Sequence, residues 1–170
     1  MNKFLLVIVL LNSLEVLAQN ISIDDIIKLR KNDIGFVEEF LTERGWSFLE
    51  ASEPTIETMG SATFAYKKDN YSDAAQSFLT FIYSGYSDTR RIGVQINKSD
   101  IYNTYLARVK SFGCKLIDSK IEEGNIIKIY RGQTTTFKIT TTTVKGDFDS
   151  KRSTYYILLY DNLDYDLSQD

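Results

Sequence analysis

Glu50 and Asp118 are the two side chains whose types and spacing come nearest to a catalytic pair. They occupy equivalent positions in two similar stretches, RGWSFLEAS (residues 44–52) and FGCKLIDSK (residues 112–120). Two carboxyl groups that flank a bond, one of them with a raised pKa, hydrolyse glycosides. If a twofold axis relates the two stretches, these acids approach each other across it. The favoured interpretation is that both are exposed acids on strands.

The other common catalytic chemistries lack their residues. The sequence contains no His and one Cys, Cys114. Ser-His-Asp and Cys-His catalysis and His- or thiolate-based zinc sites are therefore excluded. The glycines are scattered, and no phosphate-binding loop of the form GxxxxGK[ST] or GxGxxG occurs. Cys114 has no His to activate it, so we expect a small buried apolar side chain. We predict no enzyme, no cofactor and no metal.

Acidic residues near the C-terminus suggest one further chemistry. Asp147 and Asp149 precede an acidic tail, residues 161–170. Carboxylate oxygens of this kind bind calcium, but the order of residues in an EF-hand loop is missing. A solvated, frayed terminus is the favoured interpretation, and calcium binding by the tail is left open.

Residues 1–18 have the layout of a signal peptide. Lys3 gives a positive start, an apolar run covers residues 4–11, and Ala18 closes a small-residue cleavage pattern. A retained amphipathic helix is the alternative. The apolar run is shorter than the roughly 18 residues of a membrane span. We therefore predict export to the periplasm or the medium as residues 19–170, not an integral membrane protein. A single Cys allows no disulfide within the chain.

Charge and length limit the partners and the number of domains. The 20 basic and 23 acidic residues give a formal net charge of -3. A nucleic-acid binder usually carries a concentrated basic surface, so we predict no nucleic-acid partner. A mature chain of about 150 residues is large enough for one domain with its own core.

Three helices are predicted, two before the strands of the first half and one before those of the second. Ser22 and Asp25 fit a capping box at the start of a short helix. A second amphipathic helix is predicted to end at Gly45, and a third, after Ser99, at Gly113. At the end of a helix, glycine adopts the left-handed conformation without a steric penalty. We therefore predict that Gly45 and Gly113 are structural helix caps.

Four strand-like segments follow each of these glycines, so the order is helix, four strands, helix, four strands. Leu41 and Phe48 have the same spacing to Gly45 as Val109 and Leu116 have to Gly113. Chance similarity of two amphipathic units is the alternative. We predict an α+β fold in which two α-ββββ repeats, about 22–98 and 99–160, form one antiparallel sheet with helices packed on one face. The acidic tail follows as residues 161–170.

This element order resembles that of the tandem-repeat inhibitor proteins of β-lactamase and related small exported modules, and of short secreted bacterial proteins. The likeness is in the order of the elements. It implies helices on one face of an antiparallel sheet and an open second face. The disulfides of those inhibitors cannot form in a chain with one Cys.

Tyrosine and threonine suggest what the open sheet face does. The chain has 11 Tyr and 10 Phe, and threonines crowd residues 134–143. Such residues suit a solvated strand surface, and Tyr also gives large contact area at binding interfaces. We predict a non-catalytic exported module that binds another envelope or extracellular protein, with its oligomeric state left open. The tyrosines expected at the interaction surface are Tyr83, Tyr130, Tyr156 and Tyr160.

Two other functions are kept as alternatives. The first is a carboxylate-dependent hydrolase that uses acid pairs such as Glu50 and Asp118. The second is a structural envelope protein that associates with itself, with the Thr-rich strand pairing at an unprotected sheet edge.

Overall fold

The computed structural model of the protein describes residues 21–71, 74–145 and 151–169. The predicted signal peptide, residues 1–18, lies outside them, as do Asp147 and Asp149. Four helices occur in the described part: α1 (Ile23–Arg30), α2 (Ile34–Thr42), α3 (Ser99–Ser111) and α4 (Asn162–Leu167). The strands are β1 (Trp46–Ser52), β2 (Gly60–Tyr66), β3 (Ser77–Tyr83), β4 (Arg90–Ile96), β5 (Lys115–Glu122), β6 (Asn125–Arg131), β7 (Thr135–Lys145) and β8 (Lys151–Asp161).

The strands form one antiparallel sheet, which confirms the predicted α+β class. Their order is β1-β2-β3-β4-β8-β7-β6-β5. Each group of four is a meander, and the two meanders meet where β4 pairs with β8, from Ile92 opposite Leu159 to Ile96 opposite Tyr155. The first strand of each group is therefore an outer edge of the sheet.

The helix starts follow from local hydrogen bonding. The Ser22 hydroxyl accepts a hydrogen bond from the Asp25 amide at 3.1 Å, and the Ser22 amide donates to the Asp25 carboxylate at 2.8 Å. This is the predicted capping box. At the start of α2 only one such bond forms, because the Asp33 carboxylate accepts from the Phe36 amide at 2.9 Å. The start of α3 differs from the prediction, because Lys98 rather than Ser99 is its N-cap and makes no side-chain hydrogen bond there.

Gly45 and Gly113 both have the left-handed backbone conformation, with φ of 76° and 77°. Gly113 directly follows the C-cap residue of α3, whereas a further short turn separates Gly45 from the end of α2. The strand after each glycine carries an irregularity in its pairing, at residues 48–50 in β1 and 116–118 in β5. Each glycine thus turns the chain from a helix into an edge strand that bends.

The main core lies between one face of the sheet and the helices α1, α2 and α3. Leu29, Leu41 and Val109 from these helices are fully buried there. We call this side of the sheet the helix face; its buried strand residues include Phe64, Leu79, Val94, Ile139 and Ile157. Burying a large apolar side chain contributes about 1.5–3 kcal/mol, so this layer provides most of the favourable free energy of folding.

The last helix corrects two predictions. Residues 162–167 form α4 instead of a frayed tail, and α4 packs against the opposite face of the sheet from the other three helices. Its Tyr165 contacts Tyr160 of β8, with ring centroids 5.5 Å apart. The segment forms a helix on the sheet because its acidic side chains pair with arginines of the strands that are distant in the sequence.

The Thr-rich strand is β7, and it is not an edge of the sheet. It pairs with β8 from Thr135 to Lys145 and with β6 from Thr136 to Thr141. Over residues 136–141 its backbone groups are already used by two neighbouring strands, so this part of the Thr-rich strand is not an unprotected edge that pairs with another molecule.

Candidate functional site

The side of the sheet opposite the helix face is uncovered in its centre. We call it the open face and define it by Phe78, Thr80, Gln95, Thr140 and Tyr156. All five side chains are half-buried. The strand register places Phe78 opposite Gln95, Gln95 opposite Tyr156, and Tyr156 opposite Thr140. Aromatic and uncharged polar side chains thus form one continuous row across four strands.

Tyr156 fills the centre of this face by lying over Gly93. A Cβ atom added at Gly93 would overlap the phenol ring of Tyr156. Burial, followed by the neighbouring Tyr160, raises the pKa of Tyr156. The hydroxyl therefore stays protonated at neutral pH and is able both to donate and to accept hydrogen bonds. It gives the face a neutral polar group in place of a charge.

A recess of about 410 Å³ opens beside this row. Phe78, Gln95, Lys98 and Arg152 are among its lining residues. Asn97 is held in place, since its amide donates to the Ala75 carbonyl at 3.2 Å and its oxygen accepts from Gln95 and Thr154, both at 3.3 Å. The recess therefore combines an apolar surface with fixed amide groups.

The helix α4 closes the other end of the open face. Arg91 Nε and Nη2 donate to the two carboxylate oxygens of Asp164 at 2.8 and 2.7 Å. Arg131 makes a second such pair with Asp166, with 2.9 Å between Nη2 and Oδ2. The exposed centre of the open face thus lies between α4 and the recess.

The four tyrosines predicted for an interaction surface do not form one. Tyr130 is 5% exposed on the helix face, and Tyr160 is 5% exposed beneath α4. Tyr83 is half-buried on the helix face and stacks on Phe81, with centroids 5.9 Å apart. Only Tyr156 of the four belongs to the open face.

Two residues of the open face were missed from the sequence, Phe78 and Thr80. The segment Ser77–Tyr83 is apolar at nearly every position, so its alternation is weak. The residue in the sequence that could have identified this face is Thr80. In the structure its hydroxyl lies 3.3 Å from that of Thr63 on the neighbouring strand. A threonine inside an apolar strand indicates the side that faces water.

Glu50 and Asp118 are exposed acids on strands, as the favoured interpretation predicts, and they do not approach each other. These residues lie on β1 and β5, the two outer strands of the sheet. Seven strand spacings of about 4.8 Å separate such edges by roughly 30 Å. A glycosidase pair is at most about 10 Å apart. The two stretches therefore lie at opposite edges of the sheet.

The remaining reactive groups take part in structure. Cys114 is buried, which raises the pKa of its thiol. Asp161 accepts a hydrogen bond from the Leu163 amide at the start of α4. Across residues 21–71, 74–145 and 151–169, no three acidic, His or Cys side chains are grouped so as to hold a metal ion.

No protein-family model, no curated protein and no solved structure matches the chain. The helices of the described residues are all too short or too polar to cross a membrane.

Proposed function

We propose that the chain is an exported, non-catalytic module that binds another protein through its open face. The observation that carries this proposal is the row of half-exposed residues Phe78, Gln95, Tyr156 and Thr140 between α4 and the recess. Aromatic residues bury large areas at interfaces, and amides and hydroxyls fix the orientation of a partner.

The partner is a protein with a polar and aromatic surface of low charge. The five residues that define the open face are uncharged. Arg91 and Arg131 at the α4 end are neutralised by acids of that helix, while Lys98 and Arg152 line the recess. A net charge of -3 also provides no general attraction for nucleic acid. Contact area, rather than long-range electrostatics, then provides most of the binding free energy.

We also propose that the chain consists of two α-ββββ repeats, about 22–98 and 99–160. The φ angles of Gly45 and Gly113 and the bulges at residues 48–50 and 116–118 support this division. Repetition explains the open face, because two meanders joined at β4 and β8 give one surface that is broad enough for a protein partner. The helices α1, α2 and α3 cover the other side.

The proposed place of action is the periplasm or the medium. The layout of residues 1–18 supports export. The partner is then an envelope or extracellular protein.

Arginine substitutions at the centre of the open face test the binding proposal. Tagged residues 19–170, carrying Thr80→Arg or Thr140→Arg, are used with the wild type to isolate partners from the envelope and the medium. A long charged side chain in this row is expected to weaken binding at least about tenfold, which corresponds to 1.4 kcal/mol.

The matched control is Asn103→Arg on the exposed side of α3, which places the same charge away from the open face. It is expected to retain the partner at wild-type affinity. If all three variants bind a partner equally well, the open face is not the binding surface. If the wild type isolates nothing from either fraction, the proposal of a protein partner fails.

A further inference from the structure

The outer strand β5 is an unusually exposed edge of the sheet. It pairs with β6 on one side, and all eight of its residues are exposed. At the other edge, α2 packs against β1 and Trp46 is buried. An edge strand presents backbone N–H and C=O groups that are ready to pair with another strand.

Apolar side chains accompany this exposed backbone. Leu116 and Ile117 are 50% and 52% exposed, and Ile121 is 79% exposed. Ile126 of β6 lies directly opposite Ile121 and is 44% exposed. A strand that needed only solvation would carry polar groups at these positions.

The charges of β5 are complementary to those of a second copy of the same strand. Asp118 and Lys120 both lie on the open face, because the register places them opposite Ile129 and Ile127 of β6. In a twofold antiparallel pair centred on Ser119, Asp118 lies opposite Lys120 of the second copy, and Lys120 lies opposite its Asp118. Two opposite-charge pairs then form on one face.

Other registers are less favourable. In a pair centred on Lys120, the Lys120 side chains of the two copies lie opposite each other, and Asp118 lies opposite Glu122 of the second copy. A pair centred on Ile121 also joins opposite charges, but it overlaps only three residues of the strand before the turn at residues 123–124. The arrangement centred on Ser119 overlaps seven residues, and its outermost pairs reach the irregularity at residues 116–118.

We propose that two copies of the chain associate through β5, in an antiparallel pair centred on Ser119 that joins their sheets. The small Ser119 side chain lets the strands approach at the centre. Lys120 already pairs with Glu122 at 3.2 Å in an exposed contact, which is weak enough to be shared with the new partner. A twofold contact of this kind closes at the dimer. This proposal does not depend on the proposed binding by the open face.

Charge reversal and charge exchange test the proposed register. Sedimentation equilibrium of residues 19–170 is expected to show a monomer–dimer equilibrium. Asp118→Lys and Lys120→Glu each oppose like charges at two symmetric positions and are expected to raise the dissociation constant about tenfold. The double variant Asp118→Lys/Lys120→Glu restores both opposite-charge pairs and is expected to recover the wild-type value.

The matched control is Glu50→Lys on the other edge, which is expected to leave the dissociation constant unchanged. Circular dichroism confirms that each variant is folded, and all substituted side chains are exposed. A wild-type chain that stays monomeric at millimolar concentration overturns the proposal. The edge would then be available for pairing with a strand of a different protein. The proposal is also overturned if the single charge reversals leave the dissociation constant unchanged, or if the double variant does not recover the wild-type value. Assemblies larger than the dimer overturn it as well.

Discussion

Tyr156 lies over Gly93 so closely that the glycine has no room for a side chain. The two residues are on neighbouring strands, β8 and β4, at the junction of the two meanders. An aromatic ring that covers a glycine protects the exposed backbone of the strand. This contact also sets the position of the tyrosine at the centre of the open face.

Gly93→Ala is expected to displace the Tyr156 ring and to lower the free energy of unfolding by about 1 kcal/mol. The cost is moderate because the far end of the ring is the part that must move. In a Tyr156→Ala background the same substitution is expected to cost nothing, since the overlap is gone. Urea denaturation of the four proteins gives this coupling energy. Equal costs in both backgrounds would mean that the ring does not restrict residue 93.

The pair between Arg91 and Asp164 is expected to hold α4 on the sheet. Their side chains are 24% and 11% exposed, so removal of the acid leaves a partly buried cation without its main partner. Asp164→Ala is expected to lower the free energy of unfolding by about 2 kcal/mol and to speed hydrogen exchange in residues 162–167.

The control for this pair is Asp166→Ala, which removes an acid that is 54% exposed from its contact with Arg131. Its effect on stability is expected to be clearly smaller, because exposed ion pairs contribute little. Equal losses in the two variants would contradict a special role for the Arg91 contact.

The local parts of the fold were predictable because they depend on short patterns. The capping box at Ser22, the left-handed turns at Gly45 and Gly113, and all eight strands follow from turn residues and apolar periodicity over a few positions. The α+β class follows from the order of these elements.

The composition of the open face was not predictable, because the side on which a residue lies depends on strand register. A shift of one position moves every side chain to the other face. Tyr130 and Tyr156 look alike in the sequence, but they lie on opposite sides of the sheet. The helix α4 depends on contacts such as Arg91 with Asp164, 73 residues apart, that no short pattern contains.

Alanine at Gly45 or Gly113 is expected to destabilise the chain through the backbone alone. Both residues have positive φ, and an added Cβ would meet nothing within 4 Å. The left-handed conformation costs a residue with a side chain about 1–2 kcal/mol, so both variants are expected to lose this amount. Gly35→Ala is the control, because it lies inside α2 and is expected to stabilise by about 0.5–1 kcal/mol. Thermal or urea unfolding measures the stability of each variant. Unchanged stability of Gly45→Ala would contradict the predicted strain.

Stability is expected to be nearly constant from about pH 5 to pH 9 and to fall in alkali. The chain has no His to titrate in that range. Burial raises the pKa of Tyr105, whose hydroxyl donates to the Ile21 carbonyl at 2.6 Å. A phenol with a raised pKa in the folded state stabilises fully below its unfolded pKa of about 10, and this contribution is lost as the pH rises further.

Tyr105→Phe is therefore expected to lower stability at pH 8, because the hydrogen bond to Ile21 is lost, and to make the decline above pH 10 less steep. The matched control is Tyr71→Phe, which removes a phenol that is 98% exposed and so equally hydrated before and after unfolding. Urea denaturation between pH 8 and pH 11.5 measures both slopes. If Tyr105→Phe leaves the decline of stability with alkaline pH unchanged, this buried phenol does not couple proton binding to folding.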